Sequence, residues 1–376
     1  MTPLDPPPRI LMGPGPSDVD PRVLAATARP TIGHLDPAFI EVMEDVRSML
    51  QTVFGTSNAL TIPMSGTGSA GMETCFVNLL EPGDRALIGV NGVFGGRMME
   101  VARRCGAEAV AVEAEWGRDL SPDDFRAAAA GRRFKVVALV HAETSTGVLT
   151  DLSGFRALAD ELGALLVVDC VTSLGGVPVD LDRHGVDAAY SGTQKCLSAP
   201  PGLSPVSFSA RAVDVVQSRS TPVQSWYLDL SLISRYWLGI PGAGARAYHH
   251  TAPINAVYGL HEALRIVLEE GLGARYERHR RHSAALREGL LDLGLALPVA
   301  PRCALPQLTL VRVGDGIDER AVRARLLAEH GLEIGGGLGA FAGSAWRIGL
   351  MGSGCTGANV DLCLGALRAA VAGPST

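Results

Sequence analysis

Two charged residues at matching places carry the strongest chemical signal. Leu166-Val167-Val168-Asp169 reads as a buried strand that ends in a carboxylate, and Ser191-Gly192-Thr193-Gln194-Lys195 follows another short apolar run, Lys195 lying 26 residues after Asp169. A carboxylate at the carboxyl end of one strand and a lysine just past a neighbouring one both face the crevice in which α/β sheets bind ligands. An acid for a pyridinium nitrogen and an amine for a Schiff base are the pair that pyridoxal phosphate (PLP) requires of a protein. Met64-Ser65-Gly66-Thr67-Gly68-Ser69-Ala70-Gly71 adds a third element. Small residues between a strand and a helix leave backbone N–H groups free to cradle a phosphate at the positive helix end. Taken singly, each has a plainer reading: Asp169 as a turn or helix-cap residue, Lys195 as a solvated loop lysine, the glycine-rich turn as purely structural. That turn is neither a P-loop nor a clean GxGxxG fingerprint.

The elements that must position these residues follow from the patterning. Pro37 to Phe54 has near-helical apolar spacing and is closed by Gly55. Strand-like runs at Ala86–Val90, Ala109–Val112, Val136–Val140, Leu165–Asp169, Ala188–Tyr190 and Val206–Ser209 alternate with helical stretches, which implies crossover connections and a mainly parallel sheet covered on both faces. Gly271 to Gly273 separates a helix over Ile254–Glu270 from one over about Arg275–Leu293. Strand-like runs at Gln307–Val313 and Trp346–Leu350 flank a helix near Glu319–Glu329, the pattern of a small α+β lobe. The proline-rich opening, Pro3 to Pro16, is an extended arm expected to wrap over a site. The expected division is an arm over 1–20, a large domain over 21–255 and an inter-domain helix with a small domain over 256–376.

Composition narrows the function. In 376 residues, 33 basic and 39 acidic side chains are interspersed, giving a net charge of -6, so no basic stripe offers the footprint of nucleic-acid binding. The seven cysteines form no CxxC pair, which argues for reduced thiols in a cytoplasm over disulfides or zinc. His34, His141, His249 and His250 lack paired metal-ligand spacing, so no metal is expected. Trp226, Tyr227, Tyr236 and Trp237 read as core or interface packing. Neither a secretory signal nor an apolar run long enough to span a membrane is expected.

The whole set resembles the class V, fold-type I PLP enzymes, and among them the alanine:glyoxylate and serine:glyoxylate (serine:pyruvate) aminotransferases. Matching segments run in order from Gly13-Pro14-Gly15-Pro16-Ser17 through Ser65-Gly66-Thr67-Gly68, Asn91-Gly92-Val93-Phe94-Gly95, His141-Ala142-Glu143-Thr144-Ser145-Thr146-Gly147-Val148, Val168-Asp169-Cys170-Val171 and Ser191-Gly192-Thr193-Gln194-Lys195 to Tyr248-His249-His250-Thr251 and Arg347-Ile348-Gly349-Leu350. The resemblance implies an α/β fold with a large, mainly parallel mixed sheet covered by helices and a smaller C-terminal α+β domain. It implies that Lys195 carries PLP and then shuttles a proton, and that Asp169 holds the pyridine nitrogen. In the same scheme Val171 and Phe94 would pack on the two ring faces, Thr144 would bond near the ring oxygen, and Thr67, Gly68, Ser69 and Gln194 would bind the phosphate. By the same resemblance, Tyr248 and Thr251 would reach the phosphate of a neighbouring subunit in a homodimer with a shared active site. The resemblance also implies that Arg347 grips the substrate α-carboxylate, a task that suits a planar guanidinium, and that Gly15 lies at the substrate. Phe94 stands where many members have tryptophan and Thr144 where many have serine, which bears on substrate preference.

The implied reaction is ping-pong transfer of an amino group from a small amino acid, alanine or serine, to a 2-keto acid, glyoxylate, giving glycine. Burial is expected to hold the lysine partly neutral, and the arm to keep water out. Serine:pyruvate or aminophosphonate transamination, and a cysteine desulfurase-like lyase using Cys355, are alternatives within the class; a PLP-binding protein without turnover is the alternative outside it.

Overall fold

The computed structural model describes residues 3–239 and 246–371. The helix Pro37–Phe54 shows how local sequence sets an element. Asp36 accepts a bond from the Ala38 N–H at 2.9 Å, proline takes the first position, and Gly55 ends the helix in the left-handed region at φ +65°. Phe39, Met43, Val46, Leu50 and Val53, spaced alternately four and three residues apart, are all buried against the sheet.

Among the described residues, seven strands form the main sheet in the order Leu60–Ser65, Leu203–Phe208, Ala188–Tyr190, Leu165–Asp169, Val136–Val140, Arg85–Val90, Glu108–Glu113. Leu203–Phe208 runs antiparallel to both its neighbours, and the other pairings are parallel. Val136–Val140 and Leu165–Asp169 are buried at every position, as central strands covered by helices must be. Two sequence expectations need correcting, and one element was missed. The strand expected over Val206–Ser209 is Leu203–Phe208, because Ser209 instead caps the helix Ala210–Gln217, accepting from the Ala212 N–H at 3.2 Å. Only Gly271, at φ +81°, breaks the long helical stretch; Gly273 lies inside the next helix, Leu272–Asp292. The C-terminal helix Gly357–Val371 was not anticipated.

A second, smaller sheet pairs Leu308–Arg312 and Gly335–Gly336 on either side of Ala345–Gly349, all antiparallel. Its core includes Trp346, fully buried with its indole N–H on the Glu319 carbonyl at 3.1 Å, and leucines 286 and 290 from the helix Leu272–Asp292. Removing an aromatic buried in this way costs about 3–5 kcal/mol. The opening arm belongs to the same core: Ile10–Leu11 pairs in parallel with Leu332–Glu333, and Met12 is buried in the cluster that holds Trp346. No helix of the described residues is long and apolar enough to cross a membrane.

Candidate active site

The carboxyl ends of five sheet strands converge on one cavity of about 200 Å³. Its lining includes Thr67, Gly68 and Ser69 after the strand Leu60–Ser65, Phe94 after Arg85–Val90, Thr144 after Val136–Val140, Asp169 and Val171 at the end of Leu165–Asp169, and Gln194 and Lys195 after Ala188–Tyr190. Nine of the residues singled out from the sequence therefore meet in one place.

Asp169 forms the floor. In the parallel register Asp169 stands opposite Tyr190, so both side chains leave the sheet on the same face, and the tyrosine hydroxyl donates to Oδ2 at 2.8 Å. The Val171 N–H donates to Oδ1, also at 2.8 Å. Burial pushes the Asp169 carboxyl up to about 7, against the lowering effect of these two donors and of Lys195, while the buried Glu143 carboxylate adds to the rise. A protonated ring nitrogen against this carboxyl would supply the positive charge that stabilises its ionised form. Tyr190 was missed in the sequence, where only knowledge of strand pairing could have connected it to Asp169.

Lys195 sits in a tightly bonded turn. Its carbonyl accepts from the Ser17 hydroxyl at 2.6 Å and the Ser198 N–H at 3.0 Å, and its Nζ donates to the Pro14 carbonyl. Burial pushes the ammonium down to about 8, with Arg347 and Arg97 acting in the same direction and Asp169 against them. Gly15, at φ +109°, lies directly on this lysine: a Cβ there would come within 2.5 Å of Nζ. The arm thus covers the amine with backbone alone, and a side chain at Gly15 would collide with it.

The remaining lining residues fit a phosphorylated ring. Thr67 caps the helix Gly68–Leu79 without using its hydroxyl, so the helix N-terminus faces the cavity with its first N–H groups and that hydroxyl available to an anion. The buried Gln194 amide oxygen has no partner among the described residues; turned about its last bond, the amide offers an N–H instead. Phe94 and Val171 supply apolar surface on the same cavity. Amine, buried acid, phosphate cradle and apolar walls together match what PLP requires.

Arg347 stands behind Thr144 and does not line the cavity itself. Its Nε donates to the Gly336 carbonyl at 2.8 Å and one terminal nitrogen to the Thr144 carbonyl at 3.4 Å. It is 8% exposed, and among the described residues no carboxylate is paired with it. Burial lowers its pKa, only partly countered by Glu143. Two further residues went unrecognised in the sequence. Glu143, fully buried, accepts from the Ser145 N–H at 2.9 Å, the Ser145 hydroxyl at 2.6 Å and the Phe94 N–H at 3.1 Å, and so anchors the start of the helix carrying Phe94. Arg97 lines the cavity with its guanidinium 4.8 Å from the Phe94 ring centre.

Tyr248 and Thr251 are not brought to the cavity. Tyr248 is 63% exposed and Thr251 is exposed, while between them His249 stacks on Trp226 and His250 meets the Ser65 hydroxyl at 3.0 Å. Cys355 does not fit a desulfurase thiolate: it is fully buried in the C-terminal core, burial pushes its thiol up to about 11, and it does not line the cavity.

Comparison with known proteins agrees with this geometry. The aminotransferase class-V family matches residues 21–350. The (S)-ureidoglycine–glyoxylate transaminase of Bacillus subtilis is 40% identical over 96% of this chain and 90% of its own length. The alanine–glyoxylate aminotransferase of Rattus norvegicus is 41% identical over 98% of this chain and 89% of its own. The crystal structure of an alanine–glyoxylate aminotransferase from Nostoc sp. superposes with a TM-score of 0.96 at 48% identity, covering 99% of this chain and 97% of that one. The architecture is the fold-type I aminotransferase fold. The chain belongs to the class-V aminotransferases and is a PLP-dependent transaminase.

Proposed function

We propose that the protein moves the amino group of a small L-amino acid, alanine or serine, to glyoxylate, giving glycine. The observation that carries this reading is Arg347, a buried guanidinium without a carboxylate partner among the described residues, held beside the cavity wall that Thr144 forms. Such a group calls for an anionic partner, and the α-carboxylate shared by amino and keto acids fits its planar fork. The activities named for the relatives support glyoxylate as acceptor.

When bound, PLP supplies an aldehyde carbon that can carry the amino group and a ring that withdraws electrons. Lys195 is the attachment point, and its Nζ, with a pKa lowered towards neutrality, takes and returns the proton at the substrate Cα. Asp169, held by Tyr190 and the Val171 N–H, keeps the ring nitrogen protonated. Thr67, Gly68, Ser69 and Gln194 would hold the phosphate, Phe94 and Val171 would supply apolar walls to the ring, and Thr144 would offer a hydroxyl to it. Gly15 and the arm shield the amine from water. The exposure of Tyr248 and Thr251 supports a homodimer in which each subunit completes its partner's phosphate site. The reading also divides the chain into the arm over 1–20, a cofactor-binding domain over 21–255 and a smaller domain over 256–376. Seven free, buried cysteines support a reducing, cytoplasmic setting.

The test is the visible absorption of the cofactor-loaded protein during separate additions of alanine, serine, cysteine and aminoethylphosphonate, each followed by glyoxylate. Bleaching by alanine or serine and recovery with glyoxylate is the expected result. A loaded protein that neither donor bleaches refutes the substrate assignment, and sulfide release from cysteine would return the desulfurase reading.

A further inference from the structure

Outside the cavity, an ionic cluster touches the three loops that carry the chemistry. It straddles Gly271, the break between the helices Ile254–Glu270 and Leu272–Asp292. Arg275 is 2% exposed and divides its fork among three acceptors: the Gly175 carbonyl at 2.9 Å, the Cys196 carbonyl at 2.5 Å and the Glu270 carboxylate at 2.6 Å. Gly175 belongs to the turn that follows Asp169, and Cys196 is the residue after Lys195. Arg278 grips both oxygens of the same Glu270, at 2.6 and 2.9 Å, and reaches the Gly352 carbonyl at 3.0 Å and the Cys355 carbonyl at 2.6 Å, in the segment after Arg347.

Three more bonds lock this arrangement. The His279 Nδ1–H donates to the Arg275 carbonyl at 2.8 Å while Nε2 accepts from the Gly352 N–H at 3.0 Å, which fixes a neutral tautomer. The Ser353 N–H donates to the Ser198 hydroxyl at 2.8 Å, and Ser198 is itself held buried at φ +55°, a strained conformation for a serine, three residues past Lys195. Five N–H donors in a rigid plane can meet such divergent acceptors at once; a lysine ammonium cannot reach them all.

We propose that Glu270, Arg275 and Arg278 are positioning residues that set Lys195, Asp169 and Arg347 relative to one another, Arg275 fixing the lysine and acid loops and Arg278 the carboxylate-binding side. The proposal rests on the functional reading above for the roles it gives Lys195, Asp169 and Arg347.

The experiment uses the full-length protein with Arg275→Lys, Arg278→Lys and Glu270→Gln. Per cofactor-loaded site, Arg275→Lys lowers kcat about tenfold with KM nearly unchanged and raises the PLP dissociation constant, whereas Arg278→Lys raises KM for the amino acid about tenfold with kcat nearly unchanged. In the cofactor-free protein, amide exchange accelerates around Gly175–Gly176 and Cys196–Ser198 in the first variant and around Gly352–Cys355 in the second. Glu270→Gln, at the partly exposed end of its helix, shows both effects in weaker form and carries the test if an arginine variant does not fold. Variants that lose only thermal stability, with kcat, KM, PLP affinity and exchange at those loops unaltered, overturn the proposal. A wild-type protein inert towards alanine and serine with glyoxylate would refute the substrate assignment instead, while the exchange pattern and PLP affinity still decide the role of the cluster.

Discussion

Asp169 and Tyr248 represent two regions built on different terms. Asp169 is 2% exposed, sits at the end of a central strand and has both oxygens bonded within its own chain. Tyr248 is 63% exposed and lies off the cavity, on a segment anchored through His249 to Trp226 and through His250 to Ser65. The cavity floor is complete in one chain because sheet register aims its side chains. The Tyr248–Thr251 segment has its histidines anchored and its two flanking side chains exposed, as a surface that completes a partner's site would be.

The contrast is most exposed to failure at the floor. Lys195→Ala should reduce transamination by about four orders of magnitude or more, since on the proposed roles it removes both the attachment point and the proton carrier; single-turnover kinetics on reconstituted protein measure it. Next in size, Asp169→Asn should lower kcat by about two to three orders of magnitude, because a neutral amide does not hold a proton on the ring nitrogen.

The same substitution has a consequence without cofactor. The Asp169 carboxyl, at about 7 in the folded chain against an ordinary 3.8, binds its proton more tightly folded than unfolded. Its contribution to stability is fully present below about pH 4 and is lost as pH rises towards 7, at about 1.4 kcal/mol for each tenfold fall in proton concentration between those limits. Buried His141 and His279 have depressed values and slope the opposite way, so the difference between wild-type and Asp169→Asn melting curves across pH 4–7 isolates the carboxyl. Wild type should lose stability relative to the variant over that range, and parallel curves would show that the carboxyl is not buried as described.

Arg347→Lys should raise KM for the amino acid about tenfold to a hundredfold with a smaller change in kcat, as the loss of one charge-assisted fork implies. Smallest in each subunit, Tyr248→Phe with Thr251→Ala should weaken PLP binding severalfold. Mixing this double variant with Lys195→Ala separates the two regions directly. If the segment serves a partner's site, a mixed dimer gathers both defects in one site and leaves the other intact, so at limiting PLP activity exceeds the sum of the separate variants. No recovery on mixing would place the segment's role within its own chain.

Much of the floor was legible in the sequence. A strand buried on both faces is a continuous apolar run, so Leu165–Asp169 and Val136–Val140 announced themselves, and a carboxylate or lysine just past such a run is placed at the ligand crevice by the topology. The helix Pro37–Phe54 was bounded by its own cap residues. Tyr190, Glu143 and Arg275 were not legible, because their partners lie 21, 49 and 79 residues away along the chain, in Asp169, Phe94 and Cys196. Leu203–Phe208 was displaced in the reading because an apolar run does not show which of its ends the following helix claims as a cap.

The chemical inventory is written along the chain: one lysine and one acid at successive strand ends, a small-residue turn before a helix, and an arginine in an apolar strand. Periodicity and capping are local properties and survive without a fold. Folding alone decided that Tyr190 faces Asp169, that the arm's Pro14 and Gly15 cover Lys195, that Cys355 is sealed in a core, and that one guanidinium ties the loops after Asp169 and Lys195 together. Those facts depend on strand register and on contacts between distant segments, which exist only once burial of the apolar faces has brought the segments together.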